Sequence, residues 1–418
     1  MFKRVASLFV NETLYGVCNF ITSILLARFL GPENFAIWGI ILLMLGYAES
    51  FGRLKVDVAS VYVVGKNRKE NIGDILFSIN IITILSSIVI VFLFLLSSEI
   101  IFSFLFQSFE SIPRELIFPI ASIFIIQGFF LNYLYIFLAS ENSFIFGFIN
   151  FLRSFILLIF VLLLFFDNSL TTLSLVQAVF SSYLLPLLFL ILYFQFRYRH
   201  TFSLSYQRFR ELLKSGTEYY MIGISSQINL SMPLIIASQF LSPASIGVFS
   251  VAKSLSETIF SRISAAFHTI LYSYISNIES ANDGVKVAIK TSIVLTIILS
   301  LIYIAFYTFS SSLINLLYGE EFNEASTLIK PIMLGYVLYY SAQTLNNYLY
   351  GIGKIDLLKY FYSIVILFQI IIGFILYMVD SSKDLAYLSM FNMILLSIIF
   401  FSNFIYIIKA KQVEKSKT

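Results

Sequence analysis

The chain has 418 residues, of which 59% are hydrophobic and only 12% are charged, and its mean hydropathy is +0.90. Soluble domains carry roughly a quarter charged residues, so this composition excludes a soluble globular protein and indicates a chain whose solvent is lipid. The net charge of +4 does not indicate a nucleic-acid partner, because the basic residues cluster in short loops between apolar runs. One cysteine, Cys18, and two isolated histidines exclude a disulfide framework and favour no metal centre.

Apolar runs long enough to span a bilayer as helices follow one another along the whole chain. The first run lacks a signal-peptide cleavage pattern, so we expect it to be retained as a helix. No separation is long enough to hold a soluble catalytic domain. The predicted spans are 7–29, 35–63, 75–98, 116–139, 144–166, 171–195, 216–241, 246–275, 287–309, 329–350, 356–378 and 385–408.

The basic residues predict the orientation of these spans. With both termini on the inner side, 18 of the 27 Lys and Arg residues fall inside, 4 fall outside and 5 lie within helices. Since positive residues accumulate on the cytoplasmic side, this asymmetry predicts a multi-pass membrane protein with both termini in the cytoplasm.

The two halves of the chain resemble each other. Residues 27–38 read ARFLGPENFAIW and residues 238–249 read SQFLSPASIGVF, an offset of 211. The string NYLY at 132–135 recurs at 347–350, an offset of 215, and a Pro-Ile pair between these motifs also repeats. Six predicted helices separate equivalent points, so the halves share one membrane orientation. This pattern predicts a parallel repeat about an axis along the membrane normal, with the substrate path between the halves.

The repeat divides the chain into four segments. Residues 1–195 form the N-terminal six-helix half, and residues 196–215 form a basic cytoplasmic linker that can hold a short amphipathic helix. Residues 216–410 form the C-terminal six-helix half, and residues 411–418 form a cytoplasmic tail.

Ionisable residues inside a membrane helix are costly, so each one is a candidate for function. In the predicted helix 35–63, Glu49, Arg53 and Asp57 recur every four residues and therefore share one face. This face either lines a polar cavity or neutralises itself inside the half. Lys55 is predicted to point away from it and towards the inner interface.

Further candidates lie in three other predicted helices. Arg153 has no acid on its own helix, so it needs a partner from another helix or from substrate. Lys253 and Glu257 are spaced to pair, whereas Arg262 lies about 180° around the helix from Lys253. Near mid-membrane the sequence thus places more cations than anions. The five cations are Arg53, Lys55, Arg153, Lys253 and Arg262, and the three anions are Glu49, Asp57 and Glu257. This net positive charge would attract an anion such as a diphosphate. On the predicted helix 329–350, a polar and aromatic stripe suited to sugar contacts contains Tyr336, Tyr340, Gln343 and Asn347.

Signals for an enzyme are missing from the sequence. It contains no phosphate-binding loop, no H-E-x-x-H zinc motif and no G-x-S-x-G nucleophile motif. We therefore expect a protein without catalytic residues, metal or organic cofactor, in which an H⁺ or Na⁺ gradient can supply the driving force.

The architecture, together with the opening string LLARFLGPENFAIWGI at 25–40, resembles the multidrug/oligosaccharidyl-lipid/polysaccharide exporter superfamily and specifically its O-antigen flippases. The resemblance implies a MATE-like V-shaped fold of about twelve helices in two bundles. It implies movement of a polyprenyl-diphosphate-linked oligosaccharide between leaflets, with polymerase and chain-length proteins as pathway partners and Arg53 as a lumen residue. An ion-coupled drug or cation antiporter of the same fold would depend instead on Glu49, Asp57 or Glu257.

Overall fold

The computed structural model describes residues 2–51, 53–66, 72–110, 113–139, 142–197, 205–275, 281–351, 363–368, 370–371 and 382–415. Within these ranges every regular element is a helix, and eight helices are long and apolar enough to cross a membrane. The prediction of an all-α, multi-pass membrane protein is therefore confirmed, and the helix pattern fits twelve spans. The predicted span 356–378 lies mostly outside the described residues.

Two short 3₁₀ turns, Arg114–Leu116 and Glu320–Phe322, interrupt the succession of α-helices. The α-helices in chain order are α1 (Phe2–Phe51), α2 (Val56–Lys66), α3 (Ile72–Leu105), α4 (Ile117–Ala139), α5 (Ser143–Phe166), α6 (Thr172–Arg197), α7 (Tyr206–Phe240), α8 (Pro243–Ile275), α9 (Ala281–Tyr318), α10 (Ala325–Gly351) and α11 (Ser382–Lys415).

The repeated Phe-Leu-x-Pro motif interrupts helical structure just before its proline in both places. Helix α1 is broken at Gly31, whose φ of 69° and ψ of 174° favour glycine, and Pro32 opens the next stretch of helix. The second copy lies where α7 ends and α8 begins. There Pro243 is the first helical residue, a position at which its missing N–H costs nothing. The hydroxyl of Ser242 accepts a hydrogen bond from the Ser245 N–H at 3.3 Å and caps the helix.

The predicted helix 35–63 is not continuous. It is interrupted after Phe51, and α2 restarts at Val56. Leu54 and Lys55 lie between the two helices with φ angles of 47° and 50°, in the left-handed region that side chains other than glycine rarely adopt. The helical spacing that predicted opposite directions for Arg53 and Lys55 therefore does not apply across this turn.

The chain divides into two compact units, an N-terminal unit of Met1–Gln227 and a C-terminal unit of Ile228–Thr418. In the N-terminal unit α4 packs against α1, α2, α3, α5 and α6, and in the C-terminal unit α10 packs against α8, α9 and α11. The repeated NYLY motif lies on these two helices. Tyr133 of α4 contacts Phe194 of α6 at 5.5 Å between ring centroids, and Tyr348 of α10 contacts Phe404 of α11 at 5.6 Å. The same motif thus makes the same kind of contact inside each unit.

The boundary between the units lies inside α7, between Gln227 and Ile228. Part of the predicted linker 196–215 is helical, because α7 already begins at Tyr206. Residues 198–204 lie outside the described residues. The cytoplasmic position of this segment and the rotation that relates the halves stay predictions.

Candidate functional site

Arg53 lies between two carboxylates of the N-terminal unit. Its side chain is 2% exposed, Nη2 donates to Glu49 Oε1 at 2.9 Å, and Nη1 donates to Asp57 Oδ2. Its Nε also donates to the Glu49 backbone oxygen at 3.0 Å. The side chain of Asp57 is 1% exposed, whereas that of Glu49 is 44% exposed. The turn before α2 therefore keeps Glu49, Arg53 and Asp57 together. Their ion pairs are those expected if the three charges neutralise one another inside the half.

Gln127 of α4 connects this group to α6. Its side-chain amide Nε2 lies 3.3 Å from Glu49 Oε2 and 3.2 Å from the Tyr183 hydroxyl. Gln127 is buried, so these hydrogen bonds take the place of water. Sequence reasoning singled out neither Gln127 nor Tyr183, although a polar side chain inside a predicted span is a signal for an interhelical contact.

Arg153 of α5 is held by tyrosines. Its Nη2 donates to the Tyr15 hydroxyl of α1 at 2.9 Å. The guanidinium carbon lies 5.4 Å from the Tyr15 ring centroid and 4.7 Å from the Tyr183 ring centroid, within cation–π range. Glu49 acts on Arg153 electrostatically, but no carboxylate of the described residues lies within salt-bridge distance of it. The partners from other helices that this arginine was predicted to need are therefore aromatic.

The C-terminal unit contains a second polar group, on the facing sides of α8 and α10. Lys253 Nζ pairs with Glu257 Oε2 at 2.8 Å, as their spacing predicts. Tyr336 and Tyr340 of α10 stack with centroids 5.6 Å apart, and both interact electrostatically with Glu257. Both tyrosines are buried, so the predicted aromatic stripe packs against α8 inside the unit.

Two other predicted site residues belong to the same helices. Arg262 of α8 is half-buried and acts electrostatically on Tyr340. Asn347 belongs to α10, but its side chain lies outside the described residues. Where side chains are described, no group of three His, Cys, Asp or Glu residues could hold a metal ion.

The structure thus brings together four of the predicted site residues in the N-terminal unit and four in the C-terminal unit. A family model described as "Polysaccharide biosynthesis protein" matches residues 25–327, which include Arg53, Arg153 and Lys253. The chain belongs to this family. No curated protein sequence matches the chain.

The chain shares its fold with solved structures of other proteins. A structure of the lipid II flippase MurJ in an inward closed conformation matches with a TM-score of 0.76 and 15% identity, over 96% of this chain and 87% of that chain. An inward-facing multidrug resistance MATE family transporter of the MOP superfamily matches with a TM-score of 0.73 and 16% identity, over 96% and 95%. A MOP superfamily transporter from Pyrococcus furiosus, described by a binding pocket of reversed polarity, matches with a TM-score of 0.72 and 15% identity, over 98% and 96%. The predicted resemblance in fold to the exporter superfamily is confirmed.

Proposed function

We propose that this chain is a flippase that moves a polyprenyl-diphosphate-linked oligosaccharide, such as an O-antigen repeat unit, from the inner to the outer leaflet by alternating access. It acts as a transporter and not as an enzyme, in the bacterial inner membrane and with both termini in the cytoplasm. Three findings support the proposal: the polysaccharide biosynthesis family, a fold shared with a lipid II flippase, and buried cations in membrane helices. An H⁺ or Na⁺ gradient drives transport, and polymerase and chain-length proteins receive the product.

The environment of Arg153 carries the proposal. Arg53 and Lys253 are each neutralised by a carboxylate at hydrogen-bonding distance, whereas Arg153 lies between two tyrosine rings. The bond to Tyr15 uses one of the five N–H donors of its guanidinium. A cation buried in this way keeps donors and charge for an anionic ligand, and a diphosphate suits the planar fork of arginine.

The Arg153 hypothesis predicts that Arg153→Gln abolishes transport while the protein still inserts. Display of polysaccharide at the cell surface should fall by about tenfold or more, since a charge-assisted hydrogen bond is lost. Arg153→Lys should restore part of it, because the charge is kept but the fork is lost. The matched control is Lys330→Gln, which removes a cation packed at 4.8 Å over the Tyr307 ring and should leave display unchanged.

Surface polysaccharide and membrane abundance are measured together for all variants. Normal display from a stable Arg153→Gln protein would refute the role of Arg153. A drug or cation antiporter of the same fold is the second candidate, because the carboxylate of Glu49 is 44% exposed. The antiporter hypothesis predicts that Glu49→Gln loses export of the drug or cation and that Arg153→Gln keeps it. Neither substitution should then change the amount of surface polysaccharide.

A further inference from the structure

Gln127 of α4 lies between the ion pairs of Arg53 and the aromatic environment of Arg153. Its Nε2 donates to Glu49 Oε2 at 3.3 Å and to the Tyr183 hydroxyl at 3.2 Å, so both N–H groups of the amide have acceptors. The Tyr183 ring in turn packs against the Arg153 guanidinium, whose carbon lies 4.7 Å from the ring centroid. One buried amide therefore connects the Glu49 carboxylate to a side chain that packs on Arg153.

The orientation of this amide is set by the hydrogen bonds that it donates. A carboxylate only accepts hydrogen bonds, so the nitrogen of the Gln127 amide, and not its oxygen, faces Glu49. The amide oxygen Oε1 is buried, and none of the described residues bonds to it. A buried acceptor without a partner is unfavourable. The two bonds from the nitrogen therefore fix the side chain although its oxygen stays unsatisfied.

The contact with Gln127 occupies the oxygen of Glu49 that Arg53 leaves free. Glu49 Oε1 pairs with Arg53 Nη2 at 2.9 Å, and Oε2 accepts the bond from Gln127. Arg153 and Glu49 act on each other electrostatically, yet no ion pair joins them within the described ranges. Opposite charges attract, and a carboxylate can bind two guanidinium groups through its two oxygens. Without Gln127, Oε2 would be free to turn towards Arg153.

We propose that Gln127 is a positioning residue, which holds the Glu49 carboxylate away from Arg153 and so keeps the guanidinium open to an anionic ligand. The proposal rests on the proposed function, in which Arg153 binds the diphosphate. Glu49 is then an internal competitor of the ligand, because both are anions that suit the same fork of N–H donors. Gln127 prevents this competition through Glu49 and makes no contact with the ligand itself.

The affinity of the purified full-length protein in detergent for farnesyl diphosphate, measured by isothermal titration calorimetry, tests this role. Farnesol has the same chain without the phosphates and measures binding that does not depend on the anion. Gln127→Met keeps the length of the side chain and removes the amide. It should weaken binding of farnesyl diphosphate about tenfold, because the internal carboxylate replaces the ligand in a charge-assisted hydrogen bond. Farnesol binding should not change.

Glu49→Gln in the Gln127→Met background distinguishes positioning from a general loss of packing. It removes the competing charge, so it should recover most of the lost affinity. Asn132→Leu is the matched control, because Asn132 is a buried amide on the same helix that donates to Thr83 Oγ1 instead. This control should change neither the affinity for farnesyl diphosphate nor the effect of Glu49→Gln.

Tyr183→Phe releases the amide in a second way and serves if Gln127→Met is not stable. It keeps the ring beside Arg153 and removes only the hydroxyl that binds Gln127. It should weaken binding in the same direction, and Glu49→Gln should again reverse the loss.

Two results would overturn the inference. One is undiminished affinity of Gln127→Met, which would follow if the freed carboxylate turned to Lys55, a cation that also acts on Glu49 electrostatically. The other is a loss of affinity that Glu49→Gln does not reverse. Arg153→Gln separates these failures from that of the proposed function. If it abolishes binding of farnesyl diphosphate, only the role of Gln127 falls, whereas unchanged binding would remove the role of Arg153 as well.

Discussion

Arg53 and Asp57 form an ion pair in which both side chains are buried, with exposed fractions of 2% and 1%. Glu49 completes the group from a position that is 44% exposed. Taking a charge out of water is costly, and the cost is offset only while its partner remains. The two carboxylates therefore make the same kind of contact with Arg53 but differ in how much the fold depends on them.

Asp57→Asn should destabilise the protein far more than Glu49→Gln. Removing one partner of a buried pair costs about 3–5 kcal/mol, whereas loss of an exposed partner costs about 1 kcal/mol or less. Thermal unfolding in detergent and abundance in the membrane measure the difference. Arg53→Ala should lower abundance in the same way as Asp57→Asn, and neutral replacement of both Arg53 and Asp57 should recover part of it. Equal stability of Asp57→Asn and Glu49→Gln would contradict this view of the pair.

Part of this site could be predicted from the sequence. The spacing of Glu49, Arg53 and Asp57 predicts their contact, although the helix on which that prediction rests ends at Phe51 and the turn before α2 holds the three groups together instead. The partners of Arg153 could not be predicted in the same way. Tyr15 lies on α1 and Tyr183 on α6, and contacts between helices depend on packing angles that the pattern of one helix does not contain.

At the scale of the elements, the turn between α1 and α2 is held by close packing against α7. A Cβ atom on Gly216 would lie 2.7 Å from the backbone oxygen of Leu54, which cannot move without the turn. A Cβ atom on Gly223 would meet Lys55 Cε at the same distance, but that atom is near the end of a flexible side chain. The composition does not predict this turn, because Leu54 and Lys55 are ordinary helix formers. Tertiary packing overrides their local preference.

Gly216→Ala should therefore destabilise the protein and Gly223→Ala should not, although both are the same substitution in the same helix. Alanine raises helix propensity by about 1 kcal/mol over glycine, so Gly223→Ala should be neutral or stabilising. At Gly216 the overpacking against a backbone atom costs about 1–3 kcal/mol, which exceeds this gain. Melting temperatures of the two variants, measured in one detergent, test the prediction. Similar changes for both would show that the turn does not pack on α7 as described.

For the whole molecule, the repeat was the most informative feature of the sequence. The two NYLY copies occupy equivalent places inside their units, with Tyr133 against Phe194 and Tyr348 against Phe404. The sequence predicted neither the division of α7 between the units nor the turn before α2, because both depend on how helices pack. Composition and periodicity thus determine the number and kind of helices, whereas breaks within helices follow from tertiary contacts.

The orientation of the chain in the membrane follows from its basic residues and can be tested directly. Cys18 is the one cysteine, so a Cys18→Ser chain carries no thiol of its own and gives a background for single introduced cysteines. Lys214 and Glu320 are both exposed, on α7 and on the 3₁₀ turn after α9. The 18-to-4 asymmetry of basic residues predicts that they face opposite sides of the membrane. A membrane-impermeant maleimide should label Glu320→Cys in intact cells, and Lys214→Cys only after the inner membrane is opened. Labelling of Lys214→Cys in intact cells, with Glu320→Cys protected, would invert the topology and with it the direction of the proposed transport.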